Sequence, residues 1–283
     1  MPEFDDRRLT LPDGGERALM QVRAGIAALR KSADAGSVML SQALHGEHVI
    51  LHHRDGGFGL IQTVADRYIG WAELSALSAP VKTITHRVRA LRAHIYAEPS
   101  IKATALAVIS LGAGLVSADV REGRYLKCAG AGWLVEDQLR LEGKHEDDPA
   151  QVALRYLHTP YLWGGRDSLG IDCSGLVQQA FGACGVALPR DSDMQGAWAG
   201  AAIGDWAAPG KLRRHDLVFW DGHVGIMLDS DTLLHANAHH MAVAAEPLAQ
   251  AIERIADTYG EPVGARRIDL ENEAGQKPDW LRT

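Results

Sequence analysis

The chain has 283 residues, with 29 Lys+Arg against 36 Asp+Glu for a formal net charge of −7, and 46% of it is hydrophobic. That apolar content supports packed cores and excludes wholesale disorder. The acidic balance excludes a non-specific nucleic-acid binder, which needs a basic face.

The start, Met1-Pro2-Glu3-Phe4-Asp5-Asp6, lacks the basic and apolar runs of a signal peptide. No run of about 18 apolar residues predicts a membrane span. The 3 cysteines, Cys128, Cys173 and Cys184, are too few and scattered for a disulfide framework. Together these features predict a reducing, cytoplasmic setting. The 13 histidines raise three options: metal, proton transfer or no function.

After an N-terminal extension, 1–22, the chain carries an internal echo. Ala28-Leu29-Arg30 recurs as Ala90-Leu91-Arg92, and Gly70-Trp71 as Gly132-Trp133, both offset by 62 residues. Between these anchors, short apolar runs are punctuated by Asp55-Gly56-Gly57 and Gly112-Ala113-Gly114. This reads as strands and hairpins, predicting two small β-barrel modules at 23–80 and 84–141. Trp71 and Trp133 are read as barrel core. Glu142 to Asp148 is a polar linker, and Asp148 with Pro149 starts a helix running to about His158.

A last domain is predicted over 145–270. Pro160 to Gly170 reads as a glycine-rich loop. A helix starts at Cys173, with Leu176, Val177, Ala180 and Phe181 at helical spacing. A short helix runs from Asp191 through Trp198. The period then changes to strands at 216–220, 223–228 and 233–238, a helix at 247–255 and a strand at 263–268. Helices followed by an antiparallel sheet give an α+β domain. Residues 271–283 are predicted to be a C-terminal tail, of which Glu271 to Lys277 reads as solvated.

Cys173 falls in the first turn of its helix, where backbone N–H groups favour a thiolate, and its small or polar neighbours Asp172 and Ser174 suit an exposed sulfur. Cys184 and Cys128 fit buried apolar cysteines. His223 begins one strand and His235 lies in the next. A two-residue hairpin would point them to opposite faces, so the reading requires a three-residue loop or a bulge. The roles then follow: Cys173 attacks, His223 takes its proton and His235 orients the His223 ring.

Five stretches carry a resemblance: Pro160-Tyr161-Leu162-Trp163-Gly164-Gly165, Asp172-Cys173-Ser174-Gly175-Leu176, Leu188-Pro189-Arg190-Asp191 with Gln195, Asp216-Leu217-Val218-Phe219-Trp220, and His223-Val224-Gly225-Ile226. Over 145–270 the chain resembles the NlpC-type cell-wall cysteine peptidases, which are papain-like. The front modules resemble the bacterial SH3-like domains of one branch. The resemblance implies a multidomain chain of two small all-β SH3-like barrels followed by an α+β papain-like catalytic domain. It also implies a cysteine endopeptidase that cleaves the γ-D-glutamyl–diamino acid bond of murein peptides with a free N-terminal L-Ala, in cell-wall peptide recycling, without a cofactor or metal.

The same resemblance implies substrate contacts. Tyr68 matches a module tyrosine that reaches the substrate, and Asp172 and Ser174 match residues that hold the free amine. Tyr161 matches a hydroxyl that helps the Cys173 N–H at the oxyanion, and Trp163 walls the pocket. Leu40 stands where some relatives carry an acidic residue for the amine, leaving that task to Glu47 or Asp172 or weakening amine selection. Arg190 either binds a substrate carboxylate or forms an internal pair. A metal cluster of His235, His239 and His240 lacks a second supporting group. Two alternatives stand beside the peptidase: a non-catalytic peptidoglycan-peptide binder, and another thiol acyl transfer on the same fold.

Overall fold

The computed structural model describes residue 6 and residues 8–282, and the chain divides after Lys144 into two units. Residues 1–5 and 7, within the predicted extension, and 283, the end of the predicted tail, lie outside the described residues. Among the described residues no helix is long and apolar enough to cross a membrane.

In the first unit, β1 (Ala18–Val22), β2 (Ile26–Arg30), β3 (Met39–Leu44), β4 (His48–Asp55), β5 (Phe58–Thr63), β6 (Ile69–Glu73) and β7 (Leu77–Ser78) form one sheet in the order β3-β2-β6-β5-β4-β1-β7. β1 falls inside the predicted N-terminal extension, so the sheet begins before residue 23. Then come β8 (His86–Val88), β9 (Arg92–Tyr96), β10 (Ala105–Ser110), β11 (Gly114–Leu115), β12 (Ser117–Glu122), β13 (Tyr125–Cys128), β14 (Gly132–Val135) and β15 (Leu139–Leu141). They make two sheets, β10-β9-β14-β13-β12 and β11-β8-β15. Val88, Ile95, Ile109, Leu126 and Leu134 form their common core.

The two groups of strands repeat one hydrogen-bond pattern, but with a shifted offset. Gly46 N donates to Val22 O as Gly112 N donates to Val88 O, a spacing of 66 residues between copies. Ala76 O and Gln138 O, which accept from Arg23 and Arg89, are 62 apart. The Gly-Trp anchors therefore correspond, in β6 and β14, each ahead of a short 3-10 turn. The tripeptide anchors do not: Ala28-Leu29-Arg30 lies in β2, whereas Ala90 and Leu91 precede β9. The second copy is four residues shorter between Gly112 and Gly132 than the first between Gly46 and Gly70. Trp133 is buried and Trp71 half-buried.

The second unit opens with α1 (Pro149–Leu154), where Asp148 accepts from Gln151 N at 2.9 Å. This helix is shorter than predicted. His158 takes a φ of +67°, and its N–H turns to Val243 O. The predicted loop contains a small hairpin of β16 (Arg166–Asp167) and β17 (Gly170–Ile171). Next come α2 (Cys173–Ala183), α3 (Ser192–Trp198), β18 (Ala201–Ala202), β19 (Leu217–Trp220), β20 (His223–Met227), β21 (Thr232–Asn237), β22 (Ala242–Pro247), α4 (Leu248–Tyr259), β23 (Gly264–Arg267) and α5 (Leu270–Glu273). Their sheet runs β18-β23-β19-β20-β21-β22.

Both faces of the central strands are covered. α2 packs on β20 and β21. Leu248, Ala251 and Ile255 of α4 share a core with Val218, Trp220, Met227, Leu233 and Ala265. α2 is buried almost all round rather than on one stripe. Gly175 permits this, since a Cβ there would stand 2.3 Å from Gly165 O. The sequence reading missed β22, whose Ala-Val-Ala-Ala run has weak strand propensity. Glu271 to Lys277, predicted as solvated, is mostly exposed, but the end of the tail is docked. Trp280 is 3% exposed and stacks on Trp198 with ring centroids 6.3 Å apart, because an indole gains more from burial than from water.

Candidate active site

Cys173 sits at the start of α2, behind the cap that Asp172 makes to Gly175 N at 2.7 Å. The backbone N–H groups of Val224 and Ser174 donate to its sulfur. Val224 follows His223, so these contacts bring the helix start to the start of β20. The expectation of an exposed sulfur is corrected: Cys173 is 8% exposed. Burial, with the nearby Asp172 charge, pushes its thiol up to about 12 against the pull of those N–H groups and Arg190. Cys128 and Cys184 are buried too, and burial raises the Cys128 thiol to about 11.

β19 and β20 join through the two-residue turn Asp221-Gly222. β20 and β21 join differently. Leu228 N donates to Thr232 O at 2.8 Å, closing a three-residue loop whose Asp229 Oδ1 accepts from Asp231 and Thr232 N–H. The register pairs Ile226 with Leu234 and Met227 with Leu233. Continued, it sets Gly225 opposite His235 and puts His223 on the same face. Their rings meet, with His223 Nε2 2.8 Å from His235 Nδ1. Gly225 leaves room for them, since a Cβ there would lie 3.2 Å from His235 Cβ and 2.6 Å from Leu233 Cδ1. Burial first, then His235, pulls His223 down to about 3. Burial also lowers His235 against the opposing pull of Glu246.

The chain of contacts runs further than the sequence reading foresaw. His235 Nε2 lies 2.6 Å from Glu246 Oε1, and Arg254 on α4 pairs with that same oxygen. Glu246 follows from register: His235 faces Ala244 and Leu233 faces Glu246, so the carboxylate shares the His235 face. Burial alone would raise the Glu246 carboxyl, but His235 and Arg254 outweigh it and hold it down to about 2. No sequence motif announced Glu246, because the strand that aims it went unrecognised. Tyr259 was missed too; its ring stacks on His223 with centroids 6.4 Å apart. Among the described residues, His235, His240 and Glu246 offer ligand atoms within 4.8 Å of one another. His239 is not in that group, and the Arg254 guanidinium already occupies the Glu246 oxygen with positive charge.

The residues assigned to substrate divide. Tyr161 is half-buried, and burial first, then the proximity of Cys173, Asp172 and Tyr259, raises its hydroxyl. Trp163 is 64% exposed. Arg190 is corrected as a carboxylate binder: it is 0% exposed, and its fork grips Asp172 through Nη1–Oδ1 at 3.0 Å and Nη2–Oδ2 at 2.7 Å. Asp172 is corrected as an amine anchor. A carboxylate offers about four lone-pair positions, and Gly164 N, Gly175 N, Ser174 Oγ and both Arg190 nitrogens already donate to it. Ser174 Oγ is itself taken by Arg190 at 2.8 Å.

Tyr68, Leu40 and Glu47 belong to the first unit. Tyr68 is buried beside Asp66, whose Oδ1 accepts its N–H at 3.2 Å. Leu40 is in β3, and Glu47 accepts from Leu44 N at 3.1 Å.

Residues 158–256 match the NlpC/P60 family, and residues 29–77 match the bacterial dipeptidyl-peptidase Sh3 domain. The chain is 26% identical to dipeptidyl-peptidase 6 of Lysinibacillus sphaericus over 242 residues, covering 76% of this chain and 86% of that one. It is 33% identical to the γ-D-glutamyl-L-lysine dipeptidyl-peptidase of Bacillus subtilis over 98 residues, 32% of this chain and 31% of the relative. An NlpC/P60 family protein of Bacillus cereus has a solved structure that covers 88% of this chain and 99% of its own, with a TM-score of 0.73 at 20% identity; it shares the fold.

Proposed function

This chain carries an NlpC/P60 cysteine peptidase domain behind a bacterial SH3 domain, and from that premise we propose that it removes an N-terminal L-Ala-γ-D-Glu dipeptide from murein peptides by cleaving the γ-D-glutamyl–diamino acid bond. The observation that carries this reading is the Val224 N–H at the Cys173 sulfur, one residue from His223, whose ring is hydrogen-bonded to His235. Cys173 Sγ attacks the γ-carbonyl carbon while its proton moves to His223. The Cys173 N–H and the Tyr161 hydroxyl face the oxyanion. His223 then protonates the departing amine of the diamino acid. Water, deprotonated by the same ring, opens the thioester and regenerates the thiol.

Burial disfavours a lone thiolate and a lone imidazolium alike. Proton transfer makes both at once, each the counter-charge of the other, so the resting site is a neutral thiol and imidazole. The relatives named as dipeptidyl-peptidases support release of a dipeptide from a free N-terminus. Since Asp172 is saturated, the amine is held by another group. We assign the residues from His86 to Leu141 to a second SH3-like module, on the shared hydrogen-bond pattern, and place the reaction in the cytoplasm, on recycled peptides.

The test is incubation of the enzyme and of Cys173→Ala with L-Ala-γ-D-Glu-diaminopimelate, free and N-acetylated, with product analysis by mass. The expected result is L-Ala-D-Glu from the free peptide alone, and only with Cys173 present. Equal cleavage of the capped peptide overturns amine selection. Turnover by Cys173→Ala overturns the mechanism.

A further inference from the structure

We infer that Glu246 is a positioning residue that fixes the ring tautomers of His235 and His223 and thereby turns the one remaining lone pair of His223 toward the thiol. The inference rests on the peptidase reading given above and extends its machinery by one residue.

Each proton along one line of contacts has a fixed place. Glu246 is held ionised by its His235 hydrogen bond and by Arg254, so its Oε1 can only accept. The atom 2.6 Å away is His235 Nε2. Burial keeps His235 neutral, so that ring carries one proton, and the carboxylate draws it to Nε2. His235 Nδ1 is then a bare acceptor. Opposite it, at 2.8 Å, stands His223 Nε2, which must therefore carry the His223 proton. The neutral His223 ring is left with its lone pair on Nδ1, the nitrogen not used by His235. Reversing either tautomer sets two lone pairs or two N–H groups against each other at 2.8 Å. A second histidine is by itself ambidextrous, able to donate or accept at Nδ1. The carboxylate behind it removes that freedom.

Arg254 has a separate part. Its guanidinium shares Glu246 Oε1 with the histidine, holding the carboxylate ionised and in place. The tautomer needs only an acceptor at that oxygen, not its charge, so an amide of the same shape serves.

The experiment uses the full chain labelled with 15N in its histidine rings. Ring 15N shifts and their couplings to carbon-bound protons report the tautomer of each of the 13 histidines. His235→Gln and His223→Gln identify the two of interest. Wild-type enzyme, Glu246→Gln, Glu246→Ala and Arg254→Met are compared by ring signals, by the rate of Cys173 alkylation with iodoacetamide, and by kcat and KM on the free tripeptide. The expected result is an Nε2–H tautomer for both rings in the wild type and in Glu246→Gln. In Glu246→Ala the His235 signal shifts toward Nδ1–H. Alkylation and kcat then fall together on the order of tenfold to a hundredfold, as for lost outer partners of functional histidines, with KM unmoved.

Recovery in Glu246→Gln separates the tautomer role from a plain ion pair, which Gln breaks as thoroughly as Ala does. An Nδ1–H tautomer of His235 in the wild type overturns the inference. So does Glu246→Gln losing as much rate as Glu246→Ala, or Glu246→Ala leaving ring signals and alkylation unchanged. If the wild type leaves the tripeptide intact while rings and alkylation behave as expected, the proposed substrate fails and the inference stands. Should Glu246→Ala not fold, the wild-type spectrum and Glu246→Gln still decide.

Discussion

Two carboxylates in the second unit are each clamped by an arginine, and they do opposite things. Asp172 and Arg190 meet in a bidentate fork beside the Cys173 helix, both buried. Every lone pair of Asp172 is spent on the chain itself: a helix cap, the Gly164 turn and the arginine. Glu246 and Arg254 also pair, but there one partner of the carboxylate is a histidine ring that is hydrogen-bonded in turn to His223. The ion-pair chemistry is the same in both places. What differs is the third group at the carboxylate, backbone in one case and an ambidextrous base in the other. An acid beside a nucleophile is therefore no evidence for a substrate contact until its lone pairs have been counted.

The sharpest way to break this contrast is His235→Ala. The expected loss is on the order of 10⁴ in kcat, as when the orienting member of a triad is made ineffective, with a stability loss of about 1–3 kcal/mol by urea unfolding, because the buried partners of the ring are left unsatisfied. A large stability loss with little loss of rate would put the histidine line in the same structural class as Asp172. Arg190→Met tests the other side. Removing one partner of a buried pair strands the other charge and costs about 3–5 kcal/mol, measured by urea unfolding. An unmoved midpoint would mean that Asp172 has acceptor capacity to spare and could hold an amine after all.

The pH profile gives a smaller and independent effect. Because His223 is lowered to about 3 in the folded unit, its base form persists below the ordinary histidine value of about 6.5. The acid limb of kcat/KM should therefore fall below pH 6.5. The unfolded chain takes up this proton first as pH drops. The stabilisation from neutral His223 is thus complete above about 6.5 and is lost as pH falls toward 3. Urea midpoints at pH 8 and pH 5 check the sign, and a higher midpoint at pH 5 would contradict a neutral buried pair. Smallest is Gly225→Ala, whose Cβ would press on Leu233 and His235. It should cost about 1–3 kcal/mol and lower kcat by spreading the rings. Unchanged values for both would show that the hairpin accommodates a methyl.

Much of the second unit was legible from local chemistry. Asp148 with Pro149, the Cys173 helix start and the Asp221-Gly222 turn each act within a few residues, and the structure contains all three. The parity of the His223–His235 hairpin could be stated as a requirement, since alternation alone demands an odd loop, and the loop found is Asp229-Ser230-Asp231. β22 was not legible: alanines are read as helix or loop, and only pairing with β21 makes them a strand. The docking of Trp280 on Trp198 is likewise invisible to any local pattern. The repeat in the first unit was half legible. Its tryptophans correspond, while its tripeptides match in letters and not in position, because hydrogen-bond equivalence follows strand length rather than identity.

The sequence by itself determined which residues could carry chemistry: one cysteine at a helix start and two histidines on neighbouring strands. Only the tertiary structure decided what surrounds them. It buried the sulfur, spent Asp172 and Arg190 on each other, and delivered Glu246 from a strand that no motif marks. The physical reason is that reactive residue types and helix starts are local properties, written in a few adjacent letters. Desolvation, lone-pair occupancy and cross-strand reach depend on segments distant in the chain, and these fix which of the candidates is free to act.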